Sequence, residues 1–167
     1  MEEAITFGAP WGTTLKLTTL SVIILLTAIA VIGFTTGPKS SINWLLSMSI
    51  IPLVILVIAA FFTIRGYVIE GDTIFVRRIG WNSEIELAGL VSAEADPEAM
   101  SGSIRTFGNG GMFCIAGSFR NKKLGSYRAF ATDPQRSVVL KFDNRVIVIT
   151  PDDPAAFTDR INKLIER

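Results

Sequence analysis

The sequence WLLSMSIIPLVILVIAAFFTI, residues 44–64, decides the architecture of this chain of 167 residues. It contains no charged residue. At 1.5 Å per residue, a helix of this length extends about 30 Å, which is the thickness of the hydrocarbon core of a bilayer. A core helix of a soluble protein would need a polar face, and this stretch has none. We therefore predict a transmembrane helix at residues 44–64.

A second uncharged stretch, residues 17–34, precedes the first and is also long enough to span a bilayer. An alternative interpretation is a signal peptide, because Ala28-Ile29-Ala30 has the pattern of a cleavage site. The acidic residues Glu2 and Glu3 do not suit a signal peptide, and apolar residues continue to Phe34. A second span is the favoured interpretation, and cleavage stays open as the alternative.

The link between the two stretches contains Gly37 and Pro38, which favour a turn and make the spans an antiparallel hairpin. Both termini then lie on one side of the membrane. Basic residues near the spans are concentrated on that side, with one in the link: Lys16, Arg65, Arg77 and Arg78 against Lys39. The positive-inside rule places both termini in the cytoplasm. Pro52 is expected to bend the second span. Neither span contains an ionisable residue, which favours an anchor over a transport pathway.

Composition argues against several functions. The formal net charge is +1, which does not indicate binding to nucleic acid. Histidine, the commonest general base and metal ligand, is absent. The one cysteine, Cys114, cannot form an intrachain disulfide, as is usual in a reducing compartment. We predict no catalytic residues, no metal site and no cofactor.

After residue 65 the apolar residues alternate as in β-strands, and short turns such as Gly71-Asp72 separate the strands. Seven or eight strands are expected, which favours a barrel or a sandwich. Residues 96–111, rich in Gly, Ser and Pro, are predicted to be a loop. The predicted organisation is a flexible N-terminal lead (1–14), a two-helix anchor (15–65) and a β domain (66–167).

The C-terminal segment is predicted to be a helix with a defined start. The side chain of Asp153 is expected to cap the free amides of its first turn, and Pro154 suits the first helical position. Apolar residues then follow at helical spacing: Phe157, Ile161, Leu164 and Ile165. This helix is expected to close one end of the barrel with that stripe.

Several motifs resemble those of the bacterial pleckstrin-homology (PH) domains, many of which are anchored in the membrane. They are RTFGNGGMF (105–113), GSF (117–119), LGSY (124–127), ATD (131–133) and VITPDDPAAF (148–157). The resemblance covers residues 66–167. It implies an α+β fold, a PH-like β-barrel of two bent sheets with a C-terminal capping helix, after a membrane α-helical hairpin. It also implies no catalytic residues, a bacterial inner-membrane location and possible self-assembly. The phosphoinositide site of eukaryotic PH domains is not implied, because the corresponding loop is Gly71-Asp72, short and acidic.

Two groups of residues are candidate ligand-binding sites. The Gly-rich sequence Gly108-Asn109-Gly110-Gly111 could form a backbone nest for a phosphate or carboxylate, although a tight structural connection is favoured. A basic group could bind anionic lipid, although a solvated hairpin is favoured: Arg105, Arg120, Lys122, Lys123 and Arg128. The apolar residues Phe107, Met112, Phe113 and Phe119 are expected to be core rather than a partner-binding groove.

The function predicted from these features is that of a non-enzymatic interaction or scaffolding module on the cytoplasmic face of the membrane. It would bind protein partners or further copies of itself, at a local concentration raised by the anchor. The alternative is a sensor of anionic lipid or of a phosphorylated ligand, acting through the basic hairpin and the Gly-rich loop.

Overall fold

The structure, a computed structural model, describes residues 4–38 and 40–165. Helix α1 covers Thr13–Thr36, and a second helical stretch is formed by α2 (Ile42–Leu45), a π-helical turn (Leu46–Ile50) and α3 (Ile51–Phe61). Both stretches are long and apolar enough to cross a membrane. Lys39, which the charge argument places in the link, and Glu2 and Glu3 lie outside the described residues.

The helix bounds differ from the predicted spans of 17–34 and 44–64. The second stretch starts at Ile42 and ends at Phe61, and Ile64 is fully buried in a strand. Apolar composition extends past the helix end because Ile64 faces the protein core, and hydrophobicity does not distinguish core from lipid.

The two helical stretches pack closely where a small residue lies between them. A Cβ atom on Gly33 would be 2.5 Å from the Cβ of Met48, and the indole of Trp44 donates a hydrogen bond of 2.9 Å to the Gly33 carbonyl. The π-helical turn lies just before Pro52, whose missing N–H leaves the Met48 carbonyl without its helical partner. The irregularity expected at Pro52 therefore takes the form of a π turn.

The remaining residues form two sheets and a C-terminal helix. The first sheet has the order β1-β2-β3-β4, and the second has the order β5-β9-β10-β8-β7-β6. Strand bounds are β1 Ile5–Gly8, β2 Ile64–Glu70, β3 Thr73–Arg78, β4 Asn82–Glu86, β5 Leu90–Ala95, β6 Ile104–Gly110, β7 Ile115–Asn121, β8 Gly125–Ala131, β9 Val138–Phe142 and β10 Val146–Ile149. All pairs are antiparallel except β8 with β10. The described strands do not pair into a closed barrel, so the predicted β-rich domain is confirmed as two sheets only.

The interpretation of residues 1–14 as a flexible lead is wrong for their described part. Ile5–Gly8 forms β1, which pairs antiparallel with β2 at the edge of the first sheet. Phe7 is 7% exposed, and its ring meets that of Phe157 edge-on at 4.9 Å. Short strands gain stability from the strands they pair with rather than from their local sequence, so the sequence of β1 gives little indication of a strand. The division into domains at residues 14 and 65 stays a prediction.

The interpretation of residues 96–111 as a loop is also wrong in part, because Ile104–Gly110 forms the edge strand β6. Glycine usually weakens strands, which is why the composition suggested a loop. Here Gly108 lies opposite Gly117, and the absence of side chains lets β6 and β7 approach closely.

The two sheets enclose the main core, which α4 (Pro154–Ile165) completes with Phe157 and Ile161. The predicted cap is confirmed, since the Asp153 carboxylate accepts a 3.0 Å hydrogen bond from the Ala156 amide. A second core lies on the other face of the six-stranded sheet and includes Leu15, which is fully buried. The first turn of α1 therefore packs against the six-stranded sheet.

A buried polar network joins the N-terminal segment to both sheets. The Tyr67 hydroxyl donates to the Phe130 carbonyl at 2.6 Å and accepts from the Thr150 amide at 3.1 Å. Burial raises the pKa of Tyr67 to about 12, so the hydroxyl remains a donor at neutral pH. The Thr132 hydroxyl donates to the Pro10 carbonyl at 2.9 Å, and its own carbonyl accepts from the Gly12 amide at 3.0 Å. These contacts hold the start of α1 against the domain.

Candidate functional site

The Gly-rich sequence forms the end of β6 and the turn into β7, and Asn109 organises it. The Asn109 carboxamide accepts hydrogen bonds from the amides of Gly111 (3.1 Å) and Met112 (3.0 Å), and donates to the Met112 carbonyl. An anion nest needs free backbone N–H groups, and two of those in this turn are already used. Gly108 and Gly111 have positive φ values of 104° and 149°. The geometry is that of a tight connection.

This turn also docks on α1 through two threonines that the sequence analysis did not single out. The Thr18 hydroxyl donates to the Gly111 carbonyl at 2.7 Å. The Thr19 hydroxyl, 1% exposed, donates to the same carbonyl at 3.2 Å and accepts from the Phe113 amide at 3.0 Å. Two adjacent threonines within the predicted span 17–34 were the signal available. The turn from β6 to β7 is thus seated against α1.

The basic candidates fall into separate places. Lys122 and Lys123 lie in the turn between β7 and β8, and Arg120 pairs with Ile104, at the end of β6 remote from α1. β6 bends along its length, because a Cβ atom on Gly110 would lie 3.2 Å from Cδ of Arg105, the second residue of the strand. The structure therefore places Arg105 against the Gly-rich turn, whereas Arg120, Lys122 and Lys123 lie toward the end of β7 that is opposite Ile104.

The electrostatic surroundings of these residues also differ. Lys123 forms a 2.6 Å salt bridge with Asp96, and its hydrogen bond lowers the pKa of that carboxyl group. Arg128 lies over the ring of Phe130 at 4.9 Å. The guanidinium of Arg105 lies against Gly110, where a Cβ atom would be 2.9 Å from Nη1. Among the described residues, no carboxylate forms a salt bridge with Arg105, Arg120 or Arg128. Their ligand-binding roles stay predictions.

Arg78 is the functional candidate that sequence reasoning missed, having been used only as evidence for membrane orientation. It donates a 2.6 Å hydrogen bond to the Phe62 carbonyl and lies near the rings of Phe62, Trp81 and Phe130, at 6.0, 5.9 and 5.8 Å. Its buried Nε has no hydrogen-bond partner. Arg78 ties the end of α3 to the domain, so both ends of the helical hairpin are fixed to the sheets.

The predicted apolar core residues do not behave alike. Phe119 and Cys114 are buried, and burial raises the pKa of the Cys114 thiol. Met112 and Phe113 are half-buried. Phe107 is 79% exposed and Ile104 is 74% exposed, and both lie on β6. β6 thus presents two large apolar side chains at the open edge of the second sheet.

The other sheet edges are protected. Asn162 of α4 covers the edge of β5, donating to the Ala93 carbonyl and accepting from the Ala93 amide, both at 3.3 Å. On β4, Glu84 and Glu86 are exposed, and charge at an edge disfavours strand addition. β1 has only four residues. Over residues 4–38 and 40–165, no cluster of three or more possible metal ligands occurs.

These features define a class of protein: a two-sheet β domain with a C-terminal helix. The domain contacts both ends of a helical hairpin that is long and apolar enough to cross a bilayer. The family model described as "Bacterial PH domain" matches residues 65–165. The chain therefore belongs to the bacterial PH domain family, as the motifs predicted. PH domains are generally non-catalytic modules that bind proteins or lipids. The family and the two apolar helices indicate a membrane location in a bacterium. No curated protein and no solved structure matches the chain.

Proposed function

We propose that this protein is a non-enzymatic interaction module of the bacterial inner membrane, with both termini and the PH-like domain in the cytoplasm. In this arrangement β6 binds an extended segment of a protein partner. The open edge of β6, on which Ile104 and Phe107 are exposed, carries the proposal. An unpaired strand offers backbone donors and acceptors to an incoming strand, and exposed side chains beside it supply specificity.

The contrast among the edges supports β6 as the binding edge. Its seven residues carry one charge, that of Arg105, whereas β5 is covered by Asn162 and β4 carries Glu84 and Glu86. Natural proteins usually protect a long apolar edge with charge, proline or a covering element. Because the edges at β1, β4 and β5 are protected and the edge at β6 is open, β6 is the edge at which a partner strand is expected to add.

A different protein is favoured over a second copy. β6 runs from its Gly110 end, which lies beside α1, to its Ile104 end. In an antiparallel pair of two β6 strands, the helices of the two copies would lie at opposite ends of the pair. Two copies in one membrane would therefore have to pair in parallel, which is the less stable arrangement per residue. A segment from another protein has no such restriction.

The experiment is photo-crosslinking in native membranes, with a photoreactive residue placed singly at Ile104, Phe107 or Val91. Val91 is 59% exposed on β5 and is the matched control. Crosslinked products are expected from both β6 positions and not from Val91. Adding Ile104→Lys to the Phe107 probe is expected to weaken its product, because a charge enters the apolar surface. A product of twice the monomer mass would show that β6 binds a second copy of this chain and would contradict binding to a different protein. Equal yields at Val91 and at β6 would contradict the proposal.

A further inference from the structure

We propose that one anionic phospholipid of the cytoplasmic leaflet binds in a groove between α3 and the membrane-facing end of β6 and β7. This site lies beside the partner-binding edge and goes beyond the function proposed above. It does not use the Gly71-Asp72 turn or the Lys122-Lys123 hairpin. We call it the α3 groove, lined by Ile55, Ile58, Ala59, Phe62, Arg105, Gly108, Asn109 and Met112.

The apolar side of the α3 groove belongs to the membrane anchor. Ile55 and Ile58 project from the last two turns of α3, and both are exposed in the protein alone. Met112, from the turn that docks on Thr18, lies among the same lining residues. The cavity of about 430 Å³ can hold part of an acyl chain and the adjoining glycerol. Its position at the end of a transmembrane helix opens it to the lipid phase.

The polar side of the groove carries positive charge without a counter-charge. Arg105 lines it, and among the described residues its guanidinium has neither a salt bridge nor a hydrogen-bond partner. A second cavity of about 460 Å³ shares Phe62, Gly108 and Asn109 with the first, and it adds Arg78 and Arg128. Arg105 in the α3 groove and Arg78 and Arg128 in the neighbouring cavity therefore line adjacent spaces, and no described carboxylate lines either of them.

These two sides together select the ligand. A soluble phosphate would satisfy the arginines but leave the apolar wall of α3 exposed, and an apolar chain alone would leave the guanidinium groups without an anion. An anionic phospholipid satisfies both, because its phosphate lies at the depth where α3 ends and its chains run along the helix. Arginine binds phosphate oxygens with two parallel N–H donors, which suits Arg105 to this role.

The test is native mass spectrometry of the full chain, with phosphatidylglycerol and phosphatidylcholine of identical acyl chains added in equal amounts. Retention of a single phosphatidylglycerol molecule is expected. Arg105→Gln is expected to reduce that occupancy about fivefold, the effect of one basic residue at an anionic membrane surface. Arg105→Lys is expected to restore part of the binding, because it keeps the charge and loses the bidentate geometry.

Arg120→Gln is the matched control, since Arg120 is also exposed and without a described carboxylate partner but lies at the remote end of β6. It is expected to leave lipid occupancy unchanged. Equal retention of the two lipids would overturn the proposal, as would an equal loss in the two glutamine variants. Because the side chain of Arg105 makes no described hydrogen bond, the Arg105 variants are expected to unfold at the same temperature as the parent. The same samples can verify this.

Discussion

Replacing Phe7 with alanine is expected to destabilise the folded domain by about 3–5 kcal/mol, the usual cost of removing a buried aromatic ring. Phe7 comes from the N-terminal strand but lies in the main core, in contact with Phe157 of α4. The cavity would lie between the first sheet and α4, at the edge strand β1, which pairs with β2 and accepts a 3.0 Å hydrogen bond at Gly8 from the Asp152 amide. Urea unfolding of the full chain in mild detergent, followed by tryptophan fluorescence, measures the change.

Phe107→Ala is the matched control, because it removes the same ring from a position that is 79% exposed. Its effect on stability is expected to stay within about 0.5 kcal/mol. If Phe7→Ala unfolded at the same urea concentration as Phe107→Ala, residues 5–8 would not be part of the core.

Replacing Gly117 with alanine is expected to detach β6 from β7 and to cost several kcal/mol. A Cβ atom at Gly117 would be 2.2 Å from the Phe107 carbonyl oxygen, a backbone atom that can move only if the strands separate. The φ angle of Gly117, 141°, is also one that residues with a side chain rarely adopt, at a cost of about 1–3 kcal/mol. Hydrogen exchange of the β6 amides, or trypsin cleavage after Arg105, reports the separation.

Gly125→Ala provides the comparison for conformation alone. Gly125 also has a positive φ angle, 69°, but a Cβ atom there would meet nothing within 4 Å. Only the conformational cost of about 1–2 kcal/mol is expected, with β6 still protected. Equal protection of β6 in the two variants would show that the close approach of Gly108 and Gly117 does not hold this edge.

The elements that the sequence predicted well are those with strong local signals. The apolar stretches, the Gly71-Asp72 turn and the Asp153 cap each depend on residues close in the chain, and the structure has all three. β1 and β6 were missed because each depends on a distant partner. Ile5–Gly8 is stabilised by β2, almost sixty residues later, and Gly108 of β6 suits a strand because another glycine, Gly117, lies opposite.

The candidate site was predicted less well, for related reasons. The Gly-rich turn has the geometry of a tight connection, but its contacts with Thr18 and Thr19 depend on a helix some ninety residues earlier. The basic residues were grouped because they are close in sequence. Arg120 pairs with Ile104 and Gly110 pairs with Ile115, so Arg120 and Gly110 lie at opposite ends of the β6–β7 pair. Arg105, in contrast, lies against Gly110 because β6 bends.

The membrane arrangement can be tested most directly by thiol labelling in a Cys114→Ala background. Two single-cysteine variants, Ser40→Cys in the helical link and Lys122→Cys in the β7–β8 turn, carry exposed positions. The proposed topology places these two positions on opposite sides of the membrane. With a membrane-impermeant maleimide, the Ser40 variant is expected to react in spheroplasts. The Lys122 variant is expected to react only in inside-out vesicles. Reaction of the Lys122 variant in intact spheroplasts would contradict a cytoplasmic domain held by two membrane spans.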